Sequence, residues 1–129
     1  MFDKVLELIR KNTSISIKFN LPSNDIYKHF YSHIDILVIP SSSQEIEPMT
    51  LFEALSYGIP VIVSDIDSIT EKIKPEVNAL VFKNKNVSSL EKSLKRAVSF
   101  PFDVTDKKKW CSSIKNMPGK WVFSIKIQF

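Results

Sequence analysis

Two short apolar runs constrain this chain more than any other feature. Ile34 to Pro40, IDILVIP, and Pro60 to Val63, PVIV, are β-branched and aliphatic almost without interruption. A strand with one wet face alternates apolar and polar residues, whereas a strand covered on both faces does not. Between the runs lie a polar loop, Ser41 to Pro48, and a helix predicted over roughly Thr50 to Tyr57. Gly58 follows, the residue type best suited to the left-handed position that closes a helix. Strand, loop, helix and strand in so short a span require a right-handed crossover and parallel pairing.

The flanking sequence repeats the alternation. Val5, Leu6, Leu8 and Ile9 give Phe2 to Ile9 an imperfect apolar helical face, and Ile15 to Phe19 alternates as a half-covered or edge strand. Leu21 to Asp25 is a turn offering Ser23, Asn24 or Asp25 as N-cap to a helix whose stripe is Ile26, Tyr27, Phe30 and Tyr31. Ser68 and Glu71 match a capping box ahead of a short helix ending near Lys74. Ala79 to Phe82 is a further strand. Asn86 then caps a helix with Val87, Leu90, Leu94, Ala97 and Val98 on one face. Strands and helices thus alternate from residue 15 to about 98, which predicts an α/β fold: a Rossmann-like parallel sheet with helices on both faces.

After Pro101 the pattern changes. Residues 1–102 form one expected domain, and 103–129 a basic and apolar tail. Six Lys and two Asp fall from Asp103 onward, while twelve basic and twelve acidic residues cancel before it, so the net charge of +4 belongs to the tail. The domain itself is therefore not expected to bind nucleic acid. Trp121 to Phe129 alternates like a strand, yet no neighbouring unit explains where it would pair, and an unpaired apolar strand is a self-association hazard.

Several classes drop out. Gly occurs only at 58 and 119, so no Gly-rich phosphate cradle exists. The lone Cys111 has no internal disulfide partner, which fits a reducing compartment. The opening MFDKVLELIRK is too charged for a signal peptide, and no apolar run approaches a membrane span. The expected location is cytoplasmic, or peripheral to the inner face of the membrane. His29 and His33 lack a Cys or acidic partner at metal-binding spacing and are assigned to packing or solvent contact. No metal and no cofactor is expected.

The candidate site lies at the loop-to-helix junction, outside the carboxyl end of a buried strand, where ligands bind in open parallel sheets. Unpaired N–H groups of a first helical turn favour phosphate. A carboxylate at the helix start, Glu53, can accept hydrogen bonds from the vicinal hydroxyls of a ribose or another sugar, and Glu45 on the loop can do the same for a neighbouring ring. The run Ser41-Ser42-Ser43-Gln44 supplies further polar contacts. A plainer alternative stands beside this one: Thr50-x-x-Glu53 is itself a capping box, and Glu45 and Glu47 are then solvated loop carboxylates.

The stretch PSSSQEIEPMTLFEALSYGIPVIVSD resembles the signature of the retaining glycosyltransferases of family 4, which have the two-domain GT-B fold. Its parts here are Pro40-Ser41, Glu45, Glu53-Ala54, Gly58-Ile59-Pro60-Val61 and Ser64-Asp65. Glu71 and Asn78-Ala79-Leu80-Val81 extend the similarity, which covers roughly residues 5 to 100. The resemblance implies that Glu53 binds the ribose hydroxyls of a nucleotide sugar and that Glu45 contacts the donor sugar. It places Ser42, Pro48, Met49 and Thr50 near the sugar and diphosphate. It also implies a carbohydrate or lipid-linked acceptor, and catalysis by positioning and phosphate-charge stabilisation without a side-chain nucleophile.

The chain departs from the pattern at Ile46, Glu47 and Pro48, where Gly is usual after the first Glu, and at Ala79, where Asn-Gly is usual. By the same resemblance the chain corresponds to the later part of a C-terminal donor-binding domain, without the acceptor half, and is expected to be inactive alone. The alternatives are a non-catalytic interaction or nucleotide-binding module paired with a partner chain, and a truncated remnant with an extraneous tail.

Overall fold

The computed structural model describes residues 7, 15–17, 25–44, 49–104 and 125–127. Its centre is a parallel sheet of three strands in the order β2 (Leu37–Ile39), β3 (Val61–Ser64) and β4 (Ala79–Phe82). Leu37 stands opposite Val61, and Val61 opposite Ala79, so the three strands start level. All four residues of β3 are buried, the apolar Val61 to Val63 and the polar Ser64 alike, as in a central strand covered on both faces.

Side-chain alternation divides these strands between two cores. Leu37, Ile39, Val61, Val63 and Ala79 pack on one face with Tyr31, Leu51, Leu55 and Ile69. Ile62, Leu80 and Phe82 pack on the other with Leu90, Leu94 and Ala97. The first face is covered by α2 (Met49–Ser56) and α3 (Asp67–Thr70), the second by α4 (Val87–Ala97). Helices on both faces of a parallel sheet are the expected α/β, Rossmann-like arrangement.

The end of α2 is tightly built. Gly58 has φ of 73°, and its N–H donates to the Leu55 carbonyl at 3.1 Å, while the Ile59 N–H reaches back to the Ala54 carbonyl at 2.8 Å. This pair of bonds is a Schellman motif, and the buried Ile59 supplies its apolar contact. Asn86 caps α4 as expected, its Oδ1 accepting from the Ser89 N–H at 2.8 Å.

Three expectations are corrected or trimmed. Ser68 lies inside α3 rather than before it, and Glu71 follows the helix, so the two do not form a capping box. The Ser68 N–H instead donates to Gln44 Oε1 at 3.3 Å, a cap delivered by another loop. Val87 and Val98 do not join the packed stripe of α4; they are 82% and 63% exposed. The stripe of Ile26, Tyr27, Phe30 and Tyr31 is not on one helix, because α1 (Ile26–His29) gives way to a 3-10 turn at Tyr31–His33.

The tail strand has a partner. Within the apolar segment of 121–129, β5 (Ile125–Ile127) pairs antiparallel with β1 (Ile15–Ile17), Ile15 opposite Ile127, and lies beside β2. The ladder groups of β1 are met by the opposite end of the chain, a long-range choice that local pattern does not encode. Of the helix expected over Phe2 to Ile9, only Glu7 is among the described residues, and it is helical.

Candidate functional site

The carboxyl ends of β2, β3 and β4 open on one edge, and three loops leave from there. After β2 the chain runs through Pro40 to Gln44, of which Ser42, Ser43 and Gln44 are exposed and Ser41 half-buried. Hydrogen bonds tie this loop to its neighbours. The Ser64 hydroxyl at the end of β3 donates to the Ser41 carbonyl at 2.6 Å. The Asn84 amide side chain, after β4, donates to the Ser42 carbonyl at 3.4 Å. Asp65 accepts the Asn84 N–H on Oδ1 at 2.5 Å, which joins the β3 and β4 loops. With Gln44 on Ser68, the polar run after β2 is anchored at three points.

Met49 and Thr50, both half-buried, begin α2. Their N–H groups belong to the first turn, where no intrahelical acceptor exists. Because α2 starts at Met49, Thr50 is its second residue and Glu53 its fifth, which is the wrong register for a Thr50–Glu53 capping box.

Glu53 is 1% exposed on a helix whose residues Leu51 to Ser56 are all buried. Its Oε2 accepts the hydroxyl of Tyr31 at 2.8 Å. Burying a carboxylate is costly unless donors replace its water, and Tyr31 is one such donor. Tyr31 is as deeply buried, with its ring against Phe30 and Tyr57 at centroid distances of 5.0 and 5.1 Å. Burial, followed by the adjacent Glu53 charge, pushes the Tyr31 phenol well above its ordinary value. It stays protonated and acts as a donor.

Of the residues singled out in the sequence, Ser42 lies on the loop after β2, Met49 and Thr50 open α2, and Glu53 is buried one turn into that helix. Glu45 and Pro48 lie outside the described residues, as do Ile46 and Glu47. Glu71 is exposed at the end of α3, with the Lys72 ammonium donating to its Oε1 at 3.1 Å. His29 and His33, assigned to packing or solvent contact, are both exposed. Among the described residues no cluster of three or more His, Cys, Asp or Glu could hold a metal ion. No helix among them is long and apolar enough to cross a membrane.

Asp65 and Asn84 on this edge, and Tyr31 beside Glu53, take part without having been singled out for it. Tyr31 gave only the signal of an apolar stripe; Asp65 sat in the signature without a role. Their partners lie 22 and 19 positions away, and sequence periodicity carries no trace of such pairings.

Comparison with known proteins bears on the same region. The family model "Glycosyl transferases group 1" matches residues 3–112. An uncharacterized glycosyltransferase of Methanocaldococcus jannaschii is 35% identical over 77 residues, which is 60% of this chain and 20% of that protein. Among solved structures, the lipopolysaccharide outer core galactosyltransferase WaaB in its apo form superposes with a TM-score of 0.56 at 25% identity. The match covers 69% of this chain and 26% of that one. The chain therefore spans about a fifth of the curated relative and about a quarter of the solved one.

Proposed function

The chain belongs to the glycosyl transferases of group 1, and from that premise we propose that it supplies the donor side of a glycosyl transfer from a nucleotide sugar, with retention at the anomeric carbon, as in family 4. The observation that carries this reading is the buried Glu53 carboxylate on α2, the helix that follows a polar loop laced to the carboxyl edge of a parallel sheet. A carboxylate held in an apolar surround and fixed by a phenol suits recognition of paired hydroxyls, because each hydroxyl it accepts replaces lost water.

In this reading Glu53 accepts the ribose hydroxyls and Glu45 the donor sugar. The first N–H groups of α2, at Met49 and Thr50, and the Ser42 region face the diphosphate; Pro48 contributes no N–H. The leaving diphosphate takes the proton of the incoming hydroxyl, so no side-chain nucleophile and no metal is needed. The acceptor is a carbohydrate or lipid-linked sugar, with a hexose as the group transferred. Its binding groups come from outside these 129 residues or from a partner chain. The chain by itself binds donor and turns over little, for want of acceptor positioning. Its place is the cytoplasm or the inner membrane face.

The alternative of a non-catalytic interaction module drew on an unpartnered apolar tail. Pairing of Ile125–Ile127 with β1 removes that argument for those residues.

Calorimetric titration with UDP, GDP, ADP and their sugar conjugates tests the proposal, with Glu53→Gln as the control. One nucleotide is expected to bind saturably, and the variant to weaken it by more than about tenfold, the usual scale for a hydrogen bond to a charged group. A folded chain that binds none of them, or a variant that binds as well as the parent, overturns the donor-site reading.

A further inference from the structure

Two of the ties on the β2 loop are made to carbonyl oxygens, and a tied carbonyl decides where the next N–H goes. In a trans peptide the C=O and the following N–H lie in one plane and point in opposite directions, and no cis peptide occurs among the described residues. The Ser64 hydroxyl, at the end of β3, holds the Ser41 carbonyl, and the Asn84 side-chain amide, after β4, holds the Ser42 carbonyl. Both carbonyls are thereby drawn toward the β3–β4 side of the sheet, and the N–H groups of Ser42 and Ser43 are turned the other way. Successive main-chain N–H groups presented together can seat an anion. We infer that Asn84, anchored by Asp65, is a positioning residue for the diphosphate: by holding the Ser42 carbonyl it presents the Ser43 N–H, beside that of Ser42, to the phosphate oxygens. The inference rests on the donor-site reading and adds two residues to it.

Asn84 is fixed through its main chain before its side chain reaches across. Its N–H donates to Asp65 Oδ1 at 2.5 Å, a charge-assisted bond of the short, strong kind. Asn84 and Lys85 form the corner of a tight turn, closed by the Asn86 N–H on the Lys83 carbonyl at 3.1 Å, with Lys85 at a φ of 56°. The amide contact with Ser42, at 3.4 Å, is the longest of the three ties on the β2 loop, so it depends on that anchoring. Asp65 therefore acts on the loop through Asn84. Without the carboxylate the amide drifts; without the amide the carboxylate has nothing to transmit. Asn84 is the residue that joins all three loops of this edge, the β3 loop by its main chain and the β2 loop by its side chain.

The test titrates UDP, GDP and ADP, each against its own nucleoside, into the parent chain, Asn84→Ala, Asp65→Ala and the double variant. The parent is expected to bind one diphosphate more tightly than its nucleoside. In Asn84→Ala that advantage should shrink by about tenfold, the scale of a hydrogen bond to a charged group, while nucleoside affinity stays within about twofold. Asp65→Ala should shrink it too, and the double variant no further than the larger single loss, because two residues acting in one chain of contacts are not additive. A merely structural role would weaken diphosphate and nucleoside together and leave their ratio intact, and that result overturns the inference. Additive losses in the double variant overturn the claim that Asp65 acts through Asn84. A parent chain that binds neither ligand, or both equally, overturns the donor-site reading and the inference with it. Should Asp65→Ala fail to fold, Asn84→Ala, which keeps the main-chain bond to Asp65, decides alone.

Discussion

On one face of the sheet, α2 buries six residues in succession, Leu51 to Ser56; on the other, α4 fully buries Ala97 alone of its eleven. Both helices are covers for the same three strands, but only the first is enclosed on all sides. A helix enclosed all round gains little from amphipathic pattern and can carry a polar group inward only if partners await it, as Tyr31 awaits Glu53. A helix lying on the surface gains from its ends and its charged flank. Asn86 caps its start, and Arg96 in its last turn forms a two-pronged ion pair with Glu76 and lies 4.9 Å from the centre of the Phe100 ring. The candidate site lies with the enclosed helix. The exposed helix clamps.

That contrast breaks most readily in the core. Leu51, fully buried, should cost about 2–5 kcal/mol as Leu51→Ala. The half-buried Leu94 on α4 should cost clearly less as Leu94→Ala, because its site already borders water. Urea unfolding of the two variants measures the difference, and equal losses would mean that the two covers are equivalent.

A second test uses pH. The Tyr31 phenol is raised in the folded chain, by burial first and by the Glu53 charge next. The unfolded phenol loses its proton near its ordinary value, about 10, while the folded one keeps it. The folded state then binds the extra proton, so stability is fully present below about pH 10 and falls above it, by up to about 1.4 kcal/mol per pH unit. Tyr31→Phe should flatten that alkaline limb. Melting curves between neutral pH and pH 11 show whether it does.

The smallest effect belongs to the cap. Asn86→Ala should lose about 1 kcal/mol, with nucleotide affinity unaltered. A change in affinity would show that α4 reaches the site after all.

Much of the layered fold was legible because it is written in local pattern. The run through Val38 and Ile39, the four residues of β4, the cap at Asn86 and the stop at Gly58 each follow from neighbouring residues and lie where expected. For the candidate site the sequence carried residue types and spacing, not contacts. Glu53 stood out as a carboxylate at the start of a helix, but its buried partner Tyr31 looked like one more apolar position. Ser68 matched a local cap, yet Gln44 reaches its N–H from 24 positions away. Tail and β1 pair from opposite ends of the chain. Spacing within a helix or strand constrains which way a side chain points; it carries no information on which distant group will meet it there.

The lacing of the β2 loop has one further consequence. Ordering a free loop residue takes roughly 1–2 kcal/mol of conformational entropy. Where Ser41, Ser42 and Gln44 are already tied to Ser64, Asn84 and Ser68, much of that entropy has been surrendered during folding rather than at the moment of encounter. A ligand settling against this edge then has fewer loop residues left to order, and more of each contact it makes survives as affinity.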